Sequence, residues 1–430
     1  MSPAKAEDRA ARPIRGRRAY GVLIALLVGL AAGALSAKSS GIWHDTALKA
    51  AGIVGGLWLN GLKMTVIPLI IALLVPAVAS AAAVAQSGKV ASRAMLWFIL
   101  VYSFSAILGA VGMSALVRVF PLNPASAQAL QAGLSSIDPS NVPSQPPGVL
   151  DFFSGVVPSN VFAAASNGDV LPLVIFVVIF AFAVTKIAGE RRELLVGLFQ
   201  ALADALLMVI GWVLWLAPIG VFALGYSVGA AAGTRAFGAL LHYVLLVSTL
   251  GLAMLLSGYL VAVTAGRLPL RAFAKAEVGP QSFAISTRSS LACLPAMLGA
   301  ARIVGIRERT ADLVLPLAVA LFRPTGPAMN VGVAFYVAHW FGIEPSVTAM
   351  IAAVAVGSVI SFGSVSVPGE VSFLASIAPI AMALGAPVAP LALLVAVEMI
   401  PDIFRTIGNV TLDVALATVV DREPRTVPAT

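Results

Sequence analysis

Five residues near the C-terminus carry most of the chemistry in this sequence. In the segment Glu398-Met399-Ile400-Pro401-Asp402-Ile403-Phe404-Arg405-Thr406-Ile407-Gly408-Asn409-Val410-Thr411-Leu412-Asp413, the polar side chains recur at helical spacing. At roughly 100° per residue, Glu398, Asp402, Arg405, Asn409 and Asp413 share one stripe about 80° wide. The rest of that helix surface is mainly apolar. A structural salt-bridge ladder would also produce a polar stripe. Three acids against one arginine, however, leave negative charge that a cation or another base must offset. That excess predicts a ligand site.

The elements that must position this stripe follow from composition. Of 430 residues, 60% are hydrophobic and only 11% charged, more apolar surface than a soluble domain can hide. Lipid is therefore part of the solvent. A single cysteine, Cys293, excludes an internal disulfide framework. The formal charge of +8 does not indicate a nucleic-acid binder, because the basic residues sit between apolar runs, as membrane topology requires. Histidine is confined to His44, His242 and His339, none in a nucleophile or metal-spaced cluster, which argues against an enzyme. His242 reads as an interfacial residue rather than a ligand.

Apolar runs of spanning length occur at about 19–37, 47–79, 94–120, 149–187, 194–225, 238–265, 310–342 and 388–420. Two further stretches, about 270–300 and 346–384, are crowded with Gly, Pro and Ser and read poorly as simple spans. The first run is long and many follow it, so it reads as an uncleaved helix rather than a signal peptide. If the two Gly/Pro-rich stretches do not cross, only Lys38, Lys49, Arg118 and Arg235 fall outside. The other nineteen loop and tail cations fall inside, which predicts cytoplasmic termini. Lys63, Arg288, Arg323 and Arg405 remain within or beside the apolar runs. Lys63 reads as a helix-end residue that snorkels to water. The other three lie in the C-terminal part, close in sequence to Glu370, Glu398, Asp402 and Asp413. Ionisable groups at membrane depth are costly and usually mark a polar path.

Several segments, in order, resemble the dicarboxylate/amino-acid:cation symporter family, which includes bacterial glutamate/aspartate and C4-dicarboxylate transporters. Besides the last helix, they are Leu62-Lys63-Met64-Thr65-Val66-Ile67-Pro68-Leu69, Asn167-Gly168-Asp169-Val170-Leu171-Pro172 and Leu216-Ala217-Pro218-Ile219-Gly220-Val221-Phe222-Ala223-Leu224. Thr287-Arg288-Ser289-Ser290-Leu291-Ala292-Cys293-Leu294-Pro295 resembles the tip of the family's first re-entrant hairpin. Ser361-Phe362-Gly363-Ser364-Val365-Ser366-Val367-Pro368-Gly369 resembles the tip of the second. Non-helical backbone at such depth survives only where protein or water satisfies it, and its free polar groups suit a carboxylate or a cation.

The resemblance implies an all-α integral membrane fold with eight transmembrane helices and two re-entrant helical hairpins, assembled as a homotrimer in the inner membrane. Residues 1–18 and 421–430 would be cytoplasmic tails. Residues 19–265 would form the scaffold and trimer contacts, with parts of helices 3 and 6 moving. Residues 266–420 would form a transport core: hairpin 1 at about 270–300, broken helix 7 at about 310–342, hairpin 2 at about 346–384 and helix 8 at about 388–420.

It also implies roles. Arg405 matches the arginine that pairs with an acidic substrate's side-chain carboxylate, a task its planar fork suits. Asp402 matches the residue that receives the substrate's ammonium group. Arg288 occupies a position where an arginine can pair with that aspartate. Ser289, Ser290, Val367 and Gly326 are expected to contact substrate, as is Asn409. Asn409, Asp413, Ser361 and Ser364 are expected at cation sites, with Glu398 in coupling. The implied activity is symport of an acidic amino acid with sodium or a proton, without any other cofactor, by an elevator-type mechanism. A C4-dicarboxylate substrate is the alternative, as is a non-transporting sensor or anion channel on the same fold.

One departure stands out. The separation of Pro295 and Pro368 matches the family without a gap, and in that register the seventh-helix Asn-Met-Asp-Gly-Thr motif falls on Phe322-Arg323-Pro324-Thr325-Gly326. A gapped register would place Asn330 at the asparagine instead. The motif's aspartate is lost in both. Arg323, always protonated, can then serve as a tethered counter-charge. Fewer sodium ions, or none, are expected, with a proton on Glu398 as substitute. The bland alternative pairs Arg323 with Glu370 or Glu398 and leaves the sodium site at Asn409 and Asp413 working normally.

Overall fold

The computed structural model describes residues 4–37, 42–135, 156–233, 235–363 and 369–421, and among them it is helical throughout. The first part of the chain forms α1 (Ala4–Ser36), α2 (Ile42–Lys63), α3 (Val66–Gln86), α4 (Lys89–Val119) and α5 (Pro124–Ser135). There follow α6 (Val161–Asn167), α7 (Val170–Val184), α8 (Gly189–Trp215), α9 (Ala217–Ala232) and α10 (Arg235–Thr264). Among the described residues five helical stretches, at 44–86, 89–119, 189–215, 235–264 and 399–420, are long and apolar enough to cross a membrane.

The two Gly/Pro/Ser-rich stretches fold as antiparallel helix pairs. The first is α11 (Leu270–Thr287) and α12 (Ser290–Ile303), which pack on each other across a two-residue tip. Arg288 turns the chain there with φ 49°, and the Ser289 hydroxyl caps α12 by accepting from Ala292 N–H at 3.4 Å. The second pair is α15 (Val347–Gly363) and α16 (Gly369–Ala383), with residues 364–368 outside the described set. Between the pairs lie α13 (Glu308–Leu321) and α14 (Thr325–Trp340). The chain ends in α17 (Ala389–Leu394), a 3₁₀ turn at Val395–Val397, and α18 (Met399–Val420).

Runs that read as continuous in the sequence are broken here, and each break has a proline behind it. Pro68, Pro218, Pro324 and Pro401 have no N–H to give to the carbonyls of Met64, Leu214, Ala320 and Val397, one helical turn earlier. The interruptions fall at 64–65, 216, 322–324 and 395–398. The expected last helix at 388–420 is thus two helices joined by the 3₁₀ turn, and Glu398 sits at the junction. Lys63 lies at the C-terminal end of α2, where a snorkelling residue belongs.

Two apolar cores divide the molecule. One joins α1, α2, α3 and α9 to α14, α16 and α17. The other gathers the first half of α4 around α11, α12, α13 and α18. Helix α18 is polar in its stripe yet almost wholly enclosed, whereas α8 leaves Leu194, Leu198, Met208, Trp212 and Trp215 exposed. Gly109 lets α4 approach α14 closely, because a methyl group there would overlap the Ala328 carbonyl. Past the end of α18, Asp421 is tied down by Arg307 Nε at 2.6 Å and Arg307 N–H at 3.0 Å, and Arg93 donates to Val420 O at 2.9 Å.

Candidate substrate and cation site

Non-helical backbone at 322–324 lies inside the protein, so its polar groups need partners. Helix α4 supplies them. The Tyr102 hydroxyl accepts from Arg323 N–H at 2.7 Å and faces the carbonyls of Leu321 at 2.8 Å and Ser361 at 3.2 Å. One turn on, the Ser105 hydroxyl donates to Pro324 O at 2.5 Å and accepts from Ala328 N–H at 2.9 Å. It stands inside the first turn of α14, between two groups that would otherwise bond each other. Phe322 stacks on Phe98 with ring centroids 4.3 Å apart. The break falls on Phe322-Arg323-Pro324, the segment singled out by the ungapped register.

The broken helix faces the polar stripe of α18. Thr325 N–H donates to Asn409 Oδ1 at 3.0 Å, and the Thr325 hydroxyl lies against that same oxygen and 2.7 Å from Arg405 O. Gly326 follows, near the Ser361 hydroxyl of the second hairpin, which donates to Gly357 O in its own helix. Ser364 and Val367 lie outside the described residues, and so does the side chain of Glu370.

The first part of the stripe is a connected network. Arg405 Nη2 meets Glu398 Oε1 at 2.7 Å, and Nη1 donates to Asn330 Oδ1 at 2.7 Å. Its Nε lies 3.7 Å from Asp402 Oδ1. The other oxygen of Glu398 receives the Tyr243 hydroxyl at 3.3 Å. From the hairpin tip, Arg288 Nη1 reaches to 3.8 Å from Asp402 Oδ2. Asp402 therefore stands between two guanidinium groups. Ser289 and Ser290 stand at that same tip, Ser290 buried.

The second part of the stripe is different. Asp413 is buried, and neither of its carboxylate oxygens has a hydrogen-bond partner among the described residues. Arg323 is within electrostatic range of Asp402 and Asp413, while its buried Nε is likewise without a partner. The pairing of Arg323 with Glu398 weighed above does not occur, since Glu398 is held by Arg405. The salt-bridge ladder is thus real between Glu398 and Arg405 and absent at Asp413.

Sequence reasoning missed Tyr102, Ser105, Tyr243 and the contact made by Asn330. Each is an ordinary polar residue on an apolar helix, and only the fold gives it a partner.

The matches to known proteins agree with this geometry. Residues 19–423 match the model of the sodium:dicarboxylate symporter family. The chain is 28% identical to the proton/sodium-glutamate symport protein of Bacillus subtilis (strain 168), over 93% of this chain and 92% of that one. It is 27% identical to the proton/glutamate-aspartate symporter of Escherichia coli (strain K12), over 82% and 80%. It is also 27% identical to a C4-dicarboxylate transport protein of Rhodopseudomonas palustris (strain ATCC BAA-98 / CGA009), over 81% and 75%.

Proposed function

The chain belongs to the sodium:dicarboxylate symporter family, and from that premise we propose that it imports acidic amino acids together with a cation. The observation that carries this reading is the Arg405 guanidinium, enclosed on α18 beside Asp402 and under the first hairpin tip. A half-buried, permanently charged fork is suited to a substrate carboxylate. Asp402 lies 3.7 Å from Arg405 Nε and 3.8 Å from Arg288 Nη1, beside the fork that would take the carboxylate, and is the acid placed to receive an ammonium group. Arg288, Ser289 and Ser290 at the tip, with Thr325, Gly326 and Asn409 opposite, are the remaining walls. Ser364 and Val367 belong to the second tip in the same reading.

A second reading, a C4-dicarboxylate substrate, is favoured by one observation. If Arg288 closes its 3.8 Å gap, Asp402 is neutralised and the site presents cationic groups to both ends of a dicarboxylate. The two kinds of relative, glutamate symporters and C4-dicarboxylate transporters, support both readings equally.

For coupling, Glu398 is the proton carrier and Asp413 the cation residue, with Arg323 as the tethered charge that lowers the number of ions required. The assembly is a homotrimer in the inner membrane with cytoplasmic termini. Residues 19–265 form its scaffold and residues 266–420 its moving core, joined by the parts of α4 and α10 that pack on α14 and α18. Uptake of labelled glutamate, aspartate, succinate and fumarate into proteoliposomes, each with and without sodium, tests substrate and ion together. Concentrative glutamate or aspartate uptake is expected. Uptake of succinate and fumarate alone would transfer the reading to dicarboxylates, and uptake of none of the four would overturn it.

A further inference from the structure

The outer side of the first hairpin carries a pattern that the substrate network does not use. In α11, Phe273, Ala276, Glu277, Pro280 and Ala284 are buried, and the helix packs on α12, α18 and α10. At roughly 100° per residue these five share one face, and Arg271, Lys275, Val278, Ser282 and Ile285 fall within about 80° on the opposite one. All five of the latter are exposed. The stripe changes character along its length. Arg271 and Lys275 stand at its start, with Arg267 just before the helix, exposed and at φ 55°. None of these three cations has an ion-pair partner among the described residues. Beyond them come Val278, 62% exposed, and Ile285, 54% exposed. Between those two stands Ser282, whose hydroxyl turns back to donate to Val278 O at 2.6 Å. Ser286 and Thr287 likewise donate to Phe283 O, at 3.0 and 2.7 Å. These hydroxyls are satisfied within their own helix, so the stripe beyond Lys275 behaves as an apolar strip.

Three unpaired cations leading into an apolar strip are complemented by an amphiphile with an anionic head. Water alone would satisfy the cations and not the strip. A neutral protein surface would cover the strip and desolvate the cations without pairing them. The dimensions also agree. Ile285 lies about 15 Å along the helix from Lys275, half of a hydrocarbon core about 30 Å thick. That is the depth of one leaflet.

We propose that the outer stripe of α11 seats one anionic phospholipid, with its phosphate among Arg267, Arg271 and Lys275 and an acyl chain along Val278, Ser282 and Ile285. The two arginines offer planar forks to phosphate oxygens, and the lysine adds a point charge. The lipid touches neither Arg405 nor Asp402, so the inference stands apart from the substrate and coupling readings. It bears on transport through the hairpin. A seated lipid favours arrangements in which this face is uncovered, as it is here.

The test uses the purified full chain in phosphatidylcholine nanodiscs without substrate. A fluorophore is attached at Val278→Cys in a Cys293→Ser background. Its quenching is measured as a small fraction of the lipid is replaced by chain-brominated phosphatidylglycerol or chain-brominated phosphatidylcholine. Phosphatidylglycerol is expected to quench at an at least tenfold lower mole fraction, since each Lys or Arg near the surface is worth about fivefold in affinity for anionic lipid. Arg271→Gln/Lys275→Gln is expected to remove that preference. Lys186→Gln, which removes an exposed cation elsewhere, should leave it unchanged. Should the label disturb the hairpin, the thermal midpoint of the unlabelled chain is the second measure. It is expected to rise saturably with phosphatidylglycerol in the wild type and not in the double variant. Equal quenching by the two lipids would overturn the proposal. So would a double variant that keeps the preference, or an equal loss in Lys186→Gln. A label that neither lipid quenches would also overturn it, because protein or water would then cover the stripe.

Discussion

Arg405 and Glu398, two turns apart on the last helix, are joined by a 2.7 Å contact between Nη2 and Oε1. The guanidinium is therefore already engaged by an internal carboxylate, which a substrate carboxylate would have to displace or join on the proposed reading. Glu398 is in turn held by Tyr243, and Arg405 by Asn330. A proton delivered to Glu398 would cancel its charge and free the guanidinium for an incoming anion. On the proposed reading, substrate binding would be linked to proton movement through this one ion pair.

Removing Arg405 tests the substrate assignment. Arg405→Ala is expected to lower uptake of acidic substrates by more than about a hundredfold, since a buried charge pair loses one member. Because the change also strands Glu398, the double variant Arg405→Ala/Glu398→Gln should regain thermal stability without regaining uptake. A well-inserted single variant with unchanged uptake kinetics would remove Arg405 from the site.

Asp402 separates the two substrate classes. Asp402→Asn is expected to weaken glutamate or aspartate binding by about ten- to a hundredfold, the worth of one charged hydrogen bond, and succinate binding far less. Equal loss for both ligands would mean that Asp402 shapes the site through Arg288 instead.

The proton assignment is tested by Glu398→Gln. In proteoliposomes the wild type is expected to accelerate uptake when an inward proton gradient is imposed, and the variant to lose that acceleration while keeping any sodium response. A strong, saturable sodium requirement in the wild type, with no answer to the pH gradient, would defeat it.

The α4 hydroxyls yield a stability prediction. Tyr102→Phe leaves Arg323 N–H and Leu321 O without a partner in an enclosed setting and should destabilise the core by about 1–3 kcal/mol. Ser105→Ala should do less harm, because Ala328 N–H and Pro324 O can close directly on each other. Hydrogen exchange at 321–328 reads both. Faster exchange in the Ser105 variant than in the Tyr102 variant would contradict the ranking.

What the sequence made legible has a physical pattern. The stripe from Glu398 to Asp413 was readable because helical periodicity is local and charge in an apolar run is rare. The hairpins were readable because Gly, Pro and Ser at membrane depth need a special reason. Tyr102, Ser105 and Tyr243 were not readable, since one hydroxyl on an apolar helix gives no signal until a distant backbone comes to meet it. Glu277 was hidden by its neighbours, Lys275 and Arg271, which make its stretch look like a solvated face. The break before Glu398 was masked by the strength of the stripe itself, which runs across it unchanged because Glu398 keeps helical torsions at the junction.

The Ser105 hydroxyl inside the first turn of α14 bears on how this molecule can be taken apart. Two of the bonds that close the broken helix, one given and one taken, are made by a residue more than two hundred positions earlier in the chain. The C-terminal part is therefore not a portable cassette. Grafted onto a scaffold without a hydroxyl at the place of Tyr102, it would arrive with the Arg323 N–H unpaired. The smallest piece that carries its own bonding is α4 together with the broken helix.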